Sequence, residues 1–236
     1  VEGMNRRPRT FYGKGIPGVS TDDLKGKLIV LEGPDGSGRS TQIAFLTEWL
    51  ERRGHAVEHV GLKRSTLVSS ELAAAKEGNV LSPRTLSLFY ATDFADQLEN
   101  RIIPALRAGF IVLADRYIYT LMARDMVRGA DLPWLQSVYS IALVPDLVLY
   151  LRVAPQKLME RYIYRSRELD YWESGMDVGY SWSWYDSFIR YQSELHRTFN
   201  KLQAIYGFAT INGMRVPRAI TRDLQTRIEA VISPEG

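Results

Sequence analysis

Nine residues, Gly33-Pro34-Asp35-Gly36-Ser37-Gly38-Arg39-Ser40-Thr41, constrain this chain more than any others. They follow an apolar run, Leu28 to Leu31, and open an amphipathic stretch, Gln42 to Leu50. Strand, glycine-rich turn and helix, in that order, are the context a phosphate-binding loop requires. The spacing fits G-x-x-x-x-G-K-[ST] at every fixed position but one, because Arg39 stands where lysine is usual. Gly33, Gly36 and Gly38 let the backbone aim successive N–H groups at phosphate oxygens, and a helix N-terminus adds positive potential. Ser40 is placed to offer its hydroxyl to Mg²⁺, and Thr41 completes the motif. Arginine keeps the lysine charge but is longer, planar and forked. The sequence therefore predicts nucleotide binding with reduced turnover.

The 236 residues fit one α/β domain with small additions. Hydrophobic content of 45% and charged content of 24% are those of an ordinary globular chain. There is no cysteine, which excludes a disulfide framework, a thiolate metal site and a cysteine nucleophile. His55, His59 and His196 do not form a metal-ligand spacing. No apolar run approaches the ~18 residues of a membrane span. The N-terminus is polar and basic rather than signal-like. The expectation is a cytoplasmic protein with no membrane partner. A net charge of +3 does not imply a nucleic-acid partner, although Arg6, Arg7 and Arg9 make the first stretch locally basic.

Residues 1–26 carry little periodicity and read as an extension, loose or draped over the surface. Beyond them apolar strands alternate with helical patterns. The strand candidates are Leu28–Leu31, Ala56–Val60, Phe110–Ala114, Leu147–Leu151 and Phe208–Ile211. That alternation predicts a P-loop NTPase-type three-layer α/β fold, with a parallel sheet between helices. Ser82-Pro83 opens a long helix expected from about Arg84 to Leu106.

Ligands of such sheets sit at the carboxyl ends of the strands. There the chain offers Asp115-Arg116-Tyr117 after the third strand. Asp115 can hold Mg²⁺ beside the loop, and Arg116 can clamp a phosphate through two N–H groups. Arg161 and Arg165 lie one helical turn apart, with Arg167 close behind. Arginines near a triphosphate can neutralise the charge of a transferred phosphoryl group. Tyr90 and Phe94 share one face of the long helix, as a base-stacking platform or as core. The aromatic residues Tyr171-Trp172 and Tyr180 to Tyr185 could cap a substrate pocket or form a subunit contact, and read first as local packing around an irregular segment.

In these residues the chain resembles the thymidylate kinase family. The marks are Leu-Glu-Gly-Pro-Asp-Gly-Ser-Gly-Arg-Ser-Thr-Gln (31–42), Leu-Phe-Tyr-Ala-Thr-Asp (88–93), Ile-Ile-Pro-Ala-Leu (102–106), Asp-Arg-Tyr (115–117) and Pro-Asp-Leu-Val-Leu-Tyr-Leu (145–151). The resemblance covers 27–236 and implies a five-stranded sheet, a small arginine-bearing lid at about 155–180 and a homodimer. It implies transfer of the ATP γ-phosphate to dTMP with Mg²⁺. Gly33 to Thr41 would then hold ATP, with Asp35 near the acceptor's sugar and phosphate. Asp115 and Ser40 would serve the metal, and Arg116 and Tyr117 would meet the acceptor. Tyr90 would stack on thymine, while Arg161, Arg165 and Arg167 resemble the lid arginines.

The departures bear on chemistry. Besides Arg39, Phe94 stands where the family has an arginine that reads the thymine edge. Leu121 and Arg124 stand where a small polar residue and a sugar-side tyrosine are common, and Tyr171 where the lid has an arginine. Lys63-Arg64-Ser65 replaces Arg-Glu-Pro. Three readings follow: a dTMP kinase, a kinase for another nucleoside monophosphate, or a non-catalytic ATP-binding homologue.

Overall fold

The computed structural model describes residues 9–62, 64–65, 70–71, 73–74, 81–164 and 169–233. Five parallel strands form one sheet in the order β2-β3-β1-β4-β5. They are β1 (Lys27–Glu32), β2 (Val57–Gly61), β3 (Ile111–Asp115), β4 (Leu147–Arg152) and β5 (Ala209–Asn212). Each falls within a residue or so of its sequence candidate. The strands are short and apolar because both faces are covered. On one face Leu28, Val30, Val112 and Ala114 pack into a core shared with Leu98, Leu106, Tyr119 and Phe199. On the other, Ile29, Leu31, Leu113 and Leu149 meet Leu46, Leu50, Leu224 and Ile228.

The α-helices whose bounds are described are α1 (Arg39–Glu51), α2 (Pro83–Gln97), α3 (Ile103–Arg107), α4 (Ile118–Val127), α5 (Leu132–Val138), α6 (Pro155–Tyr164), α7 (Trp184–Tyr206) and α8 (Pro217–Ile232). Ser82 caps α2 by accepting the Thr85 N–H, with Pro83 in the first turn. The long helix expected from Arg84 to Leu106 is interrupted. A π-helical turn, Leu98–Ile102, separates α2 from α3. Pro104 explains it, because proline lacks an N–H and crowds the carbonyl four residues back.

From Arg9 onward the N-terminal extension lies against the domain. Phe11 bridges Leu143 in antiparallel fashion, Tyr12 N donates to Ala142 O at 2.9 Å, and Val144 N donates to Thr10 O at 2.8 Å. The hydroxyls of Tyr12 and Tyr119 meet at 2.5 Å. Arg9 donates to Asp146 at 2.6 Å and to the Gly26 carbonyl at 2.9 Å. Asp146 also accepts Leu28 N at 2.7 Å, which ties the strap to the first strand.

Asp146→Ala leaves the Arg9 guanidinium sequestered without its carboxylate, so it should lower unfolding free energy by about 2–3 kcal/mol. Urea denaturation measures this. Arg9→Met combined with Asp146→Asn, which keeps an acceptor for the Leu28 N–H, should recover part of the loss.

Candidate active site

The site begins with a carboxylate inside the sheet. Glu32 ends β1 and is wholly buried. It accepts Tyr117 N at 2.9 Å, Thr120 N at 3.2 Å and the Thr120 hydroxyl. A strand residue thus caps the start of α4, whose N–H groups have no partners within the helix. Burial pushes the Glu32 carboxyl up, while Thr120, Tyr117 and the nearby Arg39 and Arg116 pull against that. The turn that Glu32 grips holds Arg116 at a φ of 73°, with Arg116 N donating to Leu31 O at 3.0 Å. A non-glycine residue in the left-handed region is strained, and such strain gathers at functional positions.

That backbone aims Arg116 at Asp35, inside the phosphate loop. Asp35 receives Arg116 in a very short contact and Arg124 at 2.8 Å, with Arg39 at 3.8 Å. Burial opposes its charge, but Arg116 and Arg124 outweigh burial and hold the carboxyl well below its ordinary range. The buried Arg116 Nε has no hydrogen-bond partner among the described residues. It is a buried N–H donor left over beside the loop.

Gly36 and Gly38 sit at φ of 76° and 98°, where a side chain would be strained. Gly38 leads into α1, and no side chain caps that helix start. Its first N–H groups are open to a ligand, with Ser40 and Thr41 exposed beside them. Arg161, on α6, donates to the Gly36 and Ser37 carbonyls at 3.0 and 3.1 Å and to Gly213 O at 2.8 Å. It fixes the loop to the end of β5.

Arg39 is buried and turns inward. Its Nε donates to Asp115 at 2.8 Å, and Nη1 donates to the Gly33 and Pro34 carbonyls. The fork thus bridges the loop and the carboxylate at the end of β3. Arg64 approaches the other Asp115 oxygen at 3.9 Å. Ser40 and Asp115 border one groove, a hydroxyl and a carboxylate that both suit Mg²⁺ as hard oxygen donors. Among the described residues no cluster of three or more His, Cys, Asp or Glu could hold a metal by itself.

Beyond Arg116 opens a cavity of about 150 Å³, lined by Tyr90, Leu121, Arg124, Asp125, Trp172 and Tyr191 among others. Of the predicted acceptor residues, Arg116 and Tyr90 face it. Phe94 and Tyr117 do not line it. They are buried edge-to-face against each other, with Tyr117 donating to Leu143 O at 3.0 Å. Arg165 and Arg167 lie outside the described residues. Sequence reasoning missed Glu32 and Asp125, while Trp172, weighed there as a pocket cap, does line the cavity. A lone charge in an apolar strand signals Glu32, and the one-turn spacing from Leu121 signals Asp125.

A parallel sheet, a phosphate loop feeding α1, and an arginine-rich cleft beside it define a P-loop phosphotransferase. Comparison with known proteins narrows this. A family model described as thymidylate kinase matches residues 31–175. A probable thymidylate kinase 2 of Saccharolobus solfataricus is 36% identical over 203 residues, 86% of this chain and 95% of that protein. Probable thymidylate kinases of Thermococcus kodakarensis and Pyrococcus horikoshii are 31% and 29% identical over 88% and 90% of this chain, and 100% and 98% of their own lengths. The chain belongs to the thymidylate kinase family and is a nucleoside monophosphate kinase. No described helix is long and apolar enough to cross a membrane.

Asp125 makes the site pH-sensitive in stability. Burial raises its carboxyl from 3.8 to about 6, against the Ser87 hydrogen bond and the charges of Arg128 and Arg124. The folded protein binds this proton more tightly than the unfolded chain, so stability present below pH 4 is lost as pH rises through 6. Relative to Asp125→Asn, the wild type should lose about 1–3 kcal/mol between pH 4 and 7. Denaturant titrations at both pH values check the sign.

Proposed function

We propose that this protein transfers the γ-phosphoryl group of ATP to dTMP, giving dTDP and ADP. The reading is carried by Asp35. This loop carboxylate is held by Arg116 and Arg124, which also line the neighbouring cavity. One charge cluster therefore spans a donor-phosphate loop and a pocket of suitable character for a nucleoside monophosphate. The names of the relatives support dTMP as the acceptor.

The chain's own residues position and neutralise. The open helix start and the loop N–H groups receive the ATP phosphates. Arg116, with its unused Nε, takes the acceptor phosphate. At the phosphate loop, Arg39, Arg116 and Arg124 gather on Asp35 and Asp115, and Arg161 is held on the loop carbonyls, so positive charge is concentrated where phosphates would bind. Phosphoryl transfer needs alignment and charge stabilisation rather than a covalent intermediate. Ser40 and Asp115 would hold Mg²⁺, which would supply positive charge against the phosphates. Arg165 and Arg167 would join from the lid. Family resemblance extends the reading to a cytoplasmic homodimer.

ADP release from Mg·ATP, with each common nucleoside monophosphate offered separately, tests the reading. Strong stimulation by dTMP is expected, and stimulation by none of them would overturn it. Arg39 is assigned to the donor phosphates, which requires its fork to exchange loop carbonyls for phosphate oxygens. Arg39→Ala should lower kcat by about 10²–10³-fold. Arg39→Lys should keep activity within about tenfold of wild type, because a point charge at this position also serves phosphate.

A further inference from the structure

The wall of the cavity that α4 provides carries Leu121, Arg124, Asp125 and Arg128, spaced as one helix face. Arg116 precedes that helix, so the cavity extends from the phosphate-binding end along α4. Asp125 is seven residues into the helix, about 10 Å from its start. A monophosphate held at Arg116 directs its base toward this end.

Most polar groups on that wall are already committed. Arg116 and Arg124 bind Asp35. Arg128 spends its guanidinium on both Asp177 oxygens, the Tyr191 hydroxyl and the carbonyls of Arg124 and Trp172. Glu173 receives the Tyr162 hydroxyl at 2.6 Å. Glu173 and Asp125 each keep a second oxygen that accepts no hydrogen bond from the described residues, and Asp125 is the one carried on the α4 face of the cavity. Ser87 donates to its Oδ2 at 2.5 Å. Its Oδ1 accepts no hydrogen bond from the described residues, on a carboxylate that lines the cavity. An oriented, partly buried carboxylate oxygen strongly selects an N–H donor.

We propose that Asp125 is a specificity-determining residue of the acceptor site, its Oδ1 accepting the imide N3–H of the pyrimidine base. This rests on dTMP being the acceptor. Thymine presents one N–H on the edge away from its sugar, between two carbonyls. Leu121, one turn earlier on the same face, offers no polar atom. Phe94 is packed against Tyr117 and Tyr139 and offers none either. The groups around Asp125 are Ser87 and Tyr90 from α2, Arg124 and Arg128 from its own helix, Tyr139 after α5, and Glu173 and Tyr191 across the cavity.

Equilibrium binding of dTMP and its N3-methyl analogue to the full chain, from pH 5 to 7.5, tests the proposal. Methylation removes the donor. At pH 7.5 the wild type should prefer dTMP by about tenfold or more, the scale of a hydrogen bond to a charged group. The preference should shrink as pH falls through 6, where the carboxylate takes a proton. In Asp125→Asn it should be smaller and independent of pH. A size effect of the methyl group alone would not follow pH. A wild-type preference that ignores pH, or one unaltered by Asp125→Asn, overturns the proposal. So does loss of the pH dependence in Glu173→Gln instead. Failure of the wild type to bind dTMP at all removes the acceptor reading, and this inference with it.

Discussion

The buried carboxylate of Glu32 is the constraint on which the site rests. Its oxygens accept two backbone N–H groups and a hydroxyl from the start of α4. A charge in a strand core is costly unless its lone pairs are filled, and here they are filled by a helix terminus. The grip sets the geometry of the β3–α4 turn. That turn holds Arg116 in a conformation which a free chain would avoid. Loss of the grip would let the turn relax and Arg116 swing from Asp35. The strand, the loop and the arginine are thus one mechanical unit.

Asp35 then links donor and acceptor. It belongs to the phosphate loop, yet its charge is balanced by two arginines that line the acceptor cavity. On the proposed reading, a substrate phosphate at Arg116 would compete with Asp35 for the same cation, and acceptor binding would be felt in the loop. Arg39 adds a second link by spanning the loop carbonyls and Asp115. A lysine, with one compact ammonium, could not fork across both. The substitution therefore gives the loop an internal brace, part of which a nucleotide would displace on the proposed reading.

The sequence made the scaffold legible because its signals were local. Strand candidates, the phosphate loop and the Asp115-Arg116 pair were each carried by a few neighbouring residues. The π-turn before α3 was missed, because a helical pattern does not reveal how the chain accommodates Pro104. Tyr90 and Phe94 share a helix face in sequence, yet only Tyr90 reaches the cavity, while Phe94 is claimed by Tyr117 and Tyr139. That choice depends on packing partners distant in sequence. The role of Asp125 was hidden for the same reason, since Ser87 and Tyr191 come from other helices. Arg165 and Arg167 fall outside the described residues, so the structure adds nothing to their reading.

The helix that shapes the acceptor cavity is fixed at both ends, which is what a selective pocket needs. Near its start, Tyr119 is fully buried between Tyr12 of the N-terminal strap and Tyr206 of α7. Just past its end, Arg128 accepts the charge of Asp177 and binds the carbonyls of Arg124 and Trp172. A cation there also suits the negative end of the helix. Neither anchor touches the reacting phosphates. Both restrict how far Arg124 and Asp125 can move relative to Asp35. Misplacement by about 1 Å is enough to cost a phosphotransferase much of its rate. The strap and the Arg128 network therefore belong to function through stiffness, and they explain how residues far from the loop can govern what the loop phosphorylates.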